Sequence, residues 1–373
     1  MNQYIVQLGD TIYSIARMHS LTTRELLAAN AGIMDRELLP SETIQLPPPQ
    51  DCQTIEINGY AAPNTDEELY GPILPYLTYL GIVGNRITLP GQLVSIHNAE
   101  MIQDAWEANV GPVMVVSNTS ENGIYSSDLV HAVLSNPAAT QRLIDDIVEA
   151  VRENNYYGAN IDFMFISPHI LPAYIRFLQT LRDSLHAQGY QLFVVVRIIV
   201  LLSEQENISL LLPLPEFQNV ADRFLIRTNE WACNVNLEVS LLDLTQQAID
   251  FATQLVPAWK IIIGIPNCCF QSPLPYQPQI PPTLLSIAEA EDLSVRAGAS
   301  FQTDSRSGLS YFLYTDSEGR ENIVWCPNRC VNMSILELVR IYDLGGVSFR
   351  MIEDFSIMDY QALNAMFNIQ KVI

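Results

Sequence analysis

Lysine is almost missing from this chain. Of 373 residues only Lys260 and Lys371 are lysines, and 19 basic residues face 41 acidic ones for a formal charge of −22. Charge of that sign repels phosphate backbones and anionic headgroups, so neither nucleic acid nor a membrane is an expected partner. Long apolar runs are missing too: no stretch of about 18 apolar residues offers a membrane-spanning helix. The first residues, MNQYIVQLGDTIYSIARMHS, have no basic segment leading into an apolar one, so the chain is expected to be made in the cytoplasm without a signal peptide. Histidine is scarce, with five, and none stands near the cysteines in sequence. Vicinal Cys268-Cys269 and Cys326-x₃-Cys330 are a poor tetrahedral zinc set, and no metal and no cofactor is expected. What is present is apolar: 49% hydrophobic against 16% charged residues, a globular composition on a chain long enough for two domains.

The plainest boundary is LPPPQDCQ, residues 46–53, where three consecutive prolines favour a stiff extended connector. It divides a small module (residues 1–47) from a linker (48–53) and a large domain (54–373). In the module, Tyr4 and Val6 alternate as a short strand, and Gly9-Asp10-Thr11 makes a turn. Ile12, Ile15 and Ala16 then share one helix face, a second helix follows from Thr23 to Ala29, and Thr43 to Leu46 closes as a strand. This βααβ unit resembles a LysM module, whose Y-x-V-x-x-G-D-T-[LI]-x-x-I-A opening, asparagine after the second helix (Asn30) and closing TIQLP are all present in order. The resemblance implies a shallow groove for N-acetylglucosamine chains of peptidoglycan or chitin, formed by Gly9, Asp10, Thr11, Ile12 and by Asn30, Ala31, Gly32, Ile33. The structural alternative makes Asp10 and Thr11 a helix cap, Asn30 a helix stop and Ile12 a core residue.

After the linker, apolar strands alternate with amphipathic helices, the pattern of a parallel α/β architecture. TIEINGYAA, YLTYLGIVG, GPVMVVSN, GANIDFMFI, QLFVVVRII, RFLIRTNEW, KIIIGIPNC and GGVSFRMIE are eight candidate strands, which fits a (β/α)8 TIM barrel. From INGYAAPN to ILELVRIYDLGGVSF this domain resembles family 18 glycosidases, most of all the LysM-bearing N-acetylglucosaminidases of bacterial spore germination. SYFLYTDSEGRENIVW corresponds to the small α+β insertion those enzymes carry after strand seven, about residues 271–325.

Family 18 catalysis uses the substrate's own acetamide oxygen as nucleophile. The resemblance therefore implies a proton-donating glutamate and an acetamide-orienting aspartate on strand four (D-x-x-D-x-D-x-E), a tyrosine on strand six and a tryptophan ending strand eight. Here the strand-four positions read Tyr157, Asn160, Asp162 and Met164; strand six has Asn229 in place of the tyrosine, and strand eight has Arg350 in place of the tryptophan. Side chains at i and i+2 share a strand face. Asn160, Asp162, Met164, Arg227, Asn229, Ser348 and Arg350 are therefore expected to point into the barrel, while Glu230 faces the helices. Two arginines and one aspartate in a buried pocket would have to pair with one another; the functional alternative is an anionic ligand held by the arginines. No catalytic set is intact.

These readings lead to a pseudoenzyme: a non-catalytic glycan-binding or structural protein of the bacterial spore envelope, deposited in coat or exosporium. Its expected partners are N-acetylglucosamine glycans and other spore-envelope proteins, copies of itself included. Cys268, Cys269, Cys326 and Cys330 are candidates for disulfides or interchain cross-links in an oxidised coat. A low-activity N-acetylglucosaminidase acting on cortex fragments, and a self-assembling surface protein without glycan binding, remain as alternatives.

Overall fold

The computed structural model describes residues 2–7, 10–18, 21, 23–33, 38–46, 52–96, 98–197, 217, 219–228, 241–276, 282–354 and 357–372. Gly9, Asn229, Glu230, Cys233 and most of the linker lie outside the described residues.

The N-terminal module runs β1 (Asn2–Ile5), α1 (Ile12–Met18), α2 (Thr23–Ala28) and β2 (Thr43–Leu46). The two strands pair antiparallel, Asn2 opposite Leu46 and Ile5 opposite Thr43. Helices this short do not persist alone; they are held by a core of Val6, Ile15, Ala16, Leu26, Ile33, Ile44 and Leu46. Polar side chains set the turns. Thr11 caps α1 reciprocally, its hydroxyl accepting from the Ser14 N–H while the Ser14 hydroxyl accepts from the Thr11 N–H. Asp10 Oδ2 accepts from the Tyr4 hydroxyl and the Gln7 amide.

Asn30 ties the end of α2 to β2. Its amide donates to the Leu26 and Gln45 carbonyls and its oxygen accepts from the Gln45 N–H. Asn30→Ala removes all three bonds and leaves backbone groups to find water, so the module is expected to lose about 1–3 kcal/mol of stability, read as an earlier unfolding transition of the module in thermal denaturation.

From residue 54 the chain continues as β3 (Thr54–Ala61), α3 (Glu67–Tyr70), β4 (Tyr79–Thr88), β5 (Gln92–Val94), α4 (Ala99–Glu107), β6 (Gly111–Ser117), α5 (Ser127–Leu134), α6 (Pro137–Glu153), β7 (Gly158–Asp162), α7 (Leu171–His186), β8 (Gln191–Arg197), β9 (Arg223–Arg227), α8 (Leu241–Leu255) and β10 (Ile261–Ile265). The insertion follows as β11 (Cys268–Pro273), β12 (Thr283–Ser286), α9 (Ile287–Ala297), β13 (Gln302–Thr303), β14 (Ser310–Thr315) and β15 (Glu321–Cys326). The chain ends with α10 (Arg329–Ile341), β16 (Gly346–Phe349), α11 (Ile357–Met366) and β17 (Asn368–Ile369).

Strands β3, β4, β6, β7, β8, β9, β10 and β16 pair in parallel and close on themselves through β16–β3 and β3–β4, giving the eight-stranded barrel. The closing seam needs a glycine. A Cβ on Gly346 would lie 1.9 Å from the Glu56 carbonyl oxygen across the seam. Inside the barrel, Tyr60, Tyr79, Val113, Val115, Phe193, Val195, Leu225 and Ile262 interdigitate. Glu56, 3% exposed, is matched there by the Arg223 guanidinium and by the Tyr79 hydroxyl. A buried carboxylate without such partners would cost several kcal/mol.

The insertion is a five-stranded antiparallel sheet in the order β12-β11-β15-β14-β13, with α9 packed on it. Its strands span Cys268 to Cys326, slightly wider than the 271–325 read from the sequence.

Candidate functional site

A cavity of about 360 Å³ opens at the C-terminal ends of the barrel strands, within the size range of small-molecule sites. Tyr60, Tyr125, Asp162, Arg227, Ser348 and Arg350 supply its polar lining, and Phe270 and Leu284 of the insertion form part of its wall. Asp162 is the only carboxylate among the described residues that line it.

The strand-four reading holds as far as Asp162. Asn160 is 1% exposed and donates to the Tyr60 hydroxyl at 2.7 Å. Asp162 Oδ2 accepts from the Tyr125 hydroxyl at 2.8 Å and from Arg227 Nη2 at 2.7 Å. That is the expected pairing of an arginine with the surviving acid. Among the described residues Asp162 Oδ1 and Asn160 Oδ1 are buried and have no hydrogen-bond partner.

Charges and burial reinforce one another here. Burial pushes the Tyr60 phenol well above its ordinary value, and the Asp162 carboxylate adds to it. Burial likewise raises Tyr125 to about 12, with Asp162 again contributing. Burial opposes the Arg227 charge, yet Asp162 beside it holds the guanidinium above its usual value. All three groups are therefore donors at neutral pH, and none is poised to exchange a proton.

β7 ends at Asp162, yet Met164 is still buried against Arg227, on the inward side that alternation assigns it. Met164 follows two residues beyond the strand. Asn118 clamps its backbone, accepting from the Met164 N–H at 2.9 Å and donating to its carbonyl at 3.0 Å. The next residue, Phe165, is exposed and takes a left-handed φ of 60°, a costly conformation for a non-glycine that the clamp helps to hold. The Met164 side chain is 2% exposed, with its sulfur 3.9 Å from Arg227 Nη1.

Arg350 requires a correction. It was expected inside a buried network with Arg227 and Asp162, but β16 ends at Phe349 and Arg350 is exposed at the cavity rim beside Cys268. Ser348, one turn of the pleat earlier, is buried as expected and accepts from the Asn58 amide. Asn229 and Glu230 lie outside the described residues.

Cysteine placement also departs from the interchain reading. Cys269 and Cys326 are bonded to each other within the chain, joining neighbouring strands β11 and β15 in the core of the insertion. Neither is available to a second molecule. Cys268 is buried, and burial pushes its thiol up to about 11 against the opposing pull of Arg350. Only Cys330 is exposed among the free cysteines described. Maleimide is expected to label Cys330 in the native protein and Cys268 only after unfolding, which peptide mass mapping reads directly.

In the module, Asp10, Thr11 and Asn30 occupy the capping and bridging roles described above, and Ile33 is a core residue at 6% exposure. Ile12 is partly buried against the same core, and Gly32 is exposed. Ala31 lies in the single turn of 3₁₀ helix that follows α2, spanning Ala31–Ile33. A glycan there would meet backbone groups and the exposed edges of these two loops.

Sequence reasoning missed Tyr60, Asn118 and Tyr125. Tyr60 was within reach: it stands two residues after Asn58 on β3 and so shares its face. Asn118 and Tyr125 lie on the loop after β6, where no periodicity points to them.

Comparison with known proteins agrees with this architecture. Residues 4–47 match the LysM domain model. The cortical fragment-lytic enzyme of Bacillus subtilis is 26% identical over 428 aligned positions, covering 100% of this chain and 99% of that protein. Among solved structures, the spore cortex-lytic enzyme SleL of Bacillus megaterium superposes with a TM-score of 0.77 at 23% identity, over 100% of this chain and 87% of that one. A chitinase from Chromobacterium violaceum superposes with a TM-score of 0.70 at 21% identity, over 84% of this chain and 99% of the chitinase. The chain carries a LysM domain followed by a TIM barrel with the fold of these cortex-lytic and chitinase structures.

Proposed function

We propose that this protein binds N-acetylglucosamine polymers and does not cleave them, serving as a glycan-anchored component of the bacterial spore envelope, in coat or exosporium. One observation carries the reading. Where the family's mechanism needs a proton donor, the chain has the buried thioether of Met164, and the one carboxylate among the described lining residues is already engaged by Arg227 and Tyr125. A thioether neither gives nor takes a proton, and the one lining carboxylate is occupied by its ion pair with Arg227.

Under this reading the LysM domain supplies attachment to peptidoglycan or chitin-type chains, through the loops Gly9–Ile12 and Asn30–Ile33. The barrel cavity keeps the family's aspartate, Asp162, in its lining. Its other partners are further envelope proteins or copies of itself. The full chain is expected to co-sediment with purified peptidoglycan, and deletion of residues 1–47 is expected to leave most of it in the supernatant. Residues 1–50 alone are expected to sediment as well; retention by the barrel but not by this segment would defeat the assignment.

A second reading, hydrolysis of cortex fragments, is favoured by the names of relatives such as the cortical fragment-lytic enzyme. It predicts that spore cortex fragments incubated with the protein gain reducing ends, whereas the binding reading predicts an unchanged fragment profile by chromatography.

A further inference from the structure

The loop after β7 and the C-terminal half of α5 each contribute one exposed histidine, and the two imidazoles meet. His169 Nε2 lies 3.1 Å from His131 Nδ1, the ring centroids are 4.9 Å apart, and the ring planes cross at 59°. The Ser167 hydroxyl is 3.5 Å from the same His169 nitrogen. We infer that His131 and His169 form a two-imidazole site for a borderline divalent cation of the zinc class, which straps the loop beyond β7 to α5.

The contact lies within imidazole–imidazole hydrogen-bond geometry, and the same nitrogen spacing also suits a shared ion. If the N–H pointed straight along the line between two in-line rings, a 3.1 Å contact would put the centroids about 5.4 Å apart. The observed 4.9 Å is shorter, so the two rings are bent out of line across the contact. An ion about 2.05 Å from each nitrogen would subtend an angle of about 98° and place the centroids about 4.8 Å apart. That angle lies between the octahedral and tetrahedral values.

Ligand chemistry sets the ion. Neutral imidazoles suit Zn²⁺, Ni²⁺ and Cu²⁺, while Mg²⁺ and Ca²⁺ require oxygen ligands. Among the described residues no group of three or more histidine, cysteine or carboxylate side chains gathers at one point, so the remaining positions fall to water and the site exchanges its ion readily. A formal charge of −22 raises the local concentration of any cation. No periodicity or motif points to the pair, since 38 residues separate the two histidines and neither belongs to a ligand-spacing motif.

The strap has a defined effect on the cavity. α5 starts at Ser127, directly after the loop that carries Tyr125, and the His169 loop begins with Met164 and Phe165. Asn118 and Tyr125 already bond across these two loops to Met164 and Asp162. A bound ion adds a third fastening farther out, holding Tyr125 on Asp162.

Titration of the metal-free full-length protein with Zn²⁺ by calorimetry tests this, after alkylation of exposed thiols so that Cys330 does not compete. One site is expected, absent for Mg²⁺, and weakened at least about tenfold by His131→Ala and by His169→Ala separately. His186→Ala, at a histidine that pairs with Asp222 elsewhere, is expected to leave it unchanged. Zn²⁺ should also raise the thermal midpoint of the wild type and not of His169→Ala, a readout that stands even if one variant folds poorly. Zinc binding that survives both substitutions, or no binding by the wild type up to about 1 mM Zn²⁺, overturns the assignment.

Discussion

Purified protein incubated with 4-methylumbelliferyl chitobioside is expected to release no fluorophore above the buffer rate, and Met164→Glu is expected to leave that result unchanged. Restoring the acid returns a proton donor worth roughly 10² to 10⁴ in rate in a competent site. Under the proposed reading the surroundings of position 164 do not suit such a donor. The Met164 sulfur is 3.9 Å from Arg227 Nη1, so a glutamate there falls within ion-pair reach of that guanidinium. Its carboxyl would be held below its ordinary range, the opposite of what a general acid needs near neutral pH. Asn229 would still stand where the family has an acetamide-steadying tyrosine, and Arg350 where it has a sugar-stacking tryptophan. Positive charge near the ring also has the wrong sign for an oxocarbenium-like transition state. Recovery should require at least Met164→Glu, Asn229→Tyr and Arg350→Trp together. Fluorophore release by the unmodified protein would overturn the non-catalytic reading at once.

The second large effect concerns stability. Arg227→Met is expected to destabilise the barrel by about 3 kcal/mol, because it leaves Asp162 buried with only the Tyr125 hydroxyl to offset its charge. The low end of the range for broken buried pairs applies, since the Arg227 side chain is 21% exposed and some water reaches it. Adding Asp162→Asn to that variant should recover much of the loss, as the second change removes the stranded charge. The pattern distinguishes an ion pair from simple packing, where the double variant would be the worse of the two. Urea unfolding of the wild type, both single variants and the double variant measures it; an Arg227→Met shift below about 0.5 kcal/mol would mean the pair carries no net stability.

Much of this was legible because periodicity survives wherever the backbone is regular. The eight barrel strands fall where the apolar pattern puts them, since each element must bury one face or one stripe. Asn160 and Asp162 were assigned to the interior by the same rule, and they are there. The rule stops at strand ends. Arg350 sits one residue past β16, where the chain bends, and alternation no longer says which way its side chain goes. Contacts between loops distant in sequence were out of reach for a related reason. Tyr125 meets Asp162, Asn118 grips Met164 and His131 meets His169 only because β6 and β7 are neighbours in the barrel, which places the loops beyond them side by side. The Cys269–Cys326 bond was open among several pairings until the β11–β15 register chose it.

That bond has an architectural consequence. Its two Cα atoms are 4.3 Å apart although 57 residues separate them, and only a few residues connect them to β10 on one side and α10 on the other. To the barrel, the whole excursion is no longer than a tight turn. The lobe hangs from a single riveted stalk, and its length scarcely enters the cost of closing the ring, which grows only slowly with loop size. Such a lobe can be trimmed, enlarged or exchanged without disturbing the staves beneath it. Because Phe270 and Leu284 face the cavity from that lobe, what the protein accepts can be re-tailored by grafting there while the scaffold stays as it is.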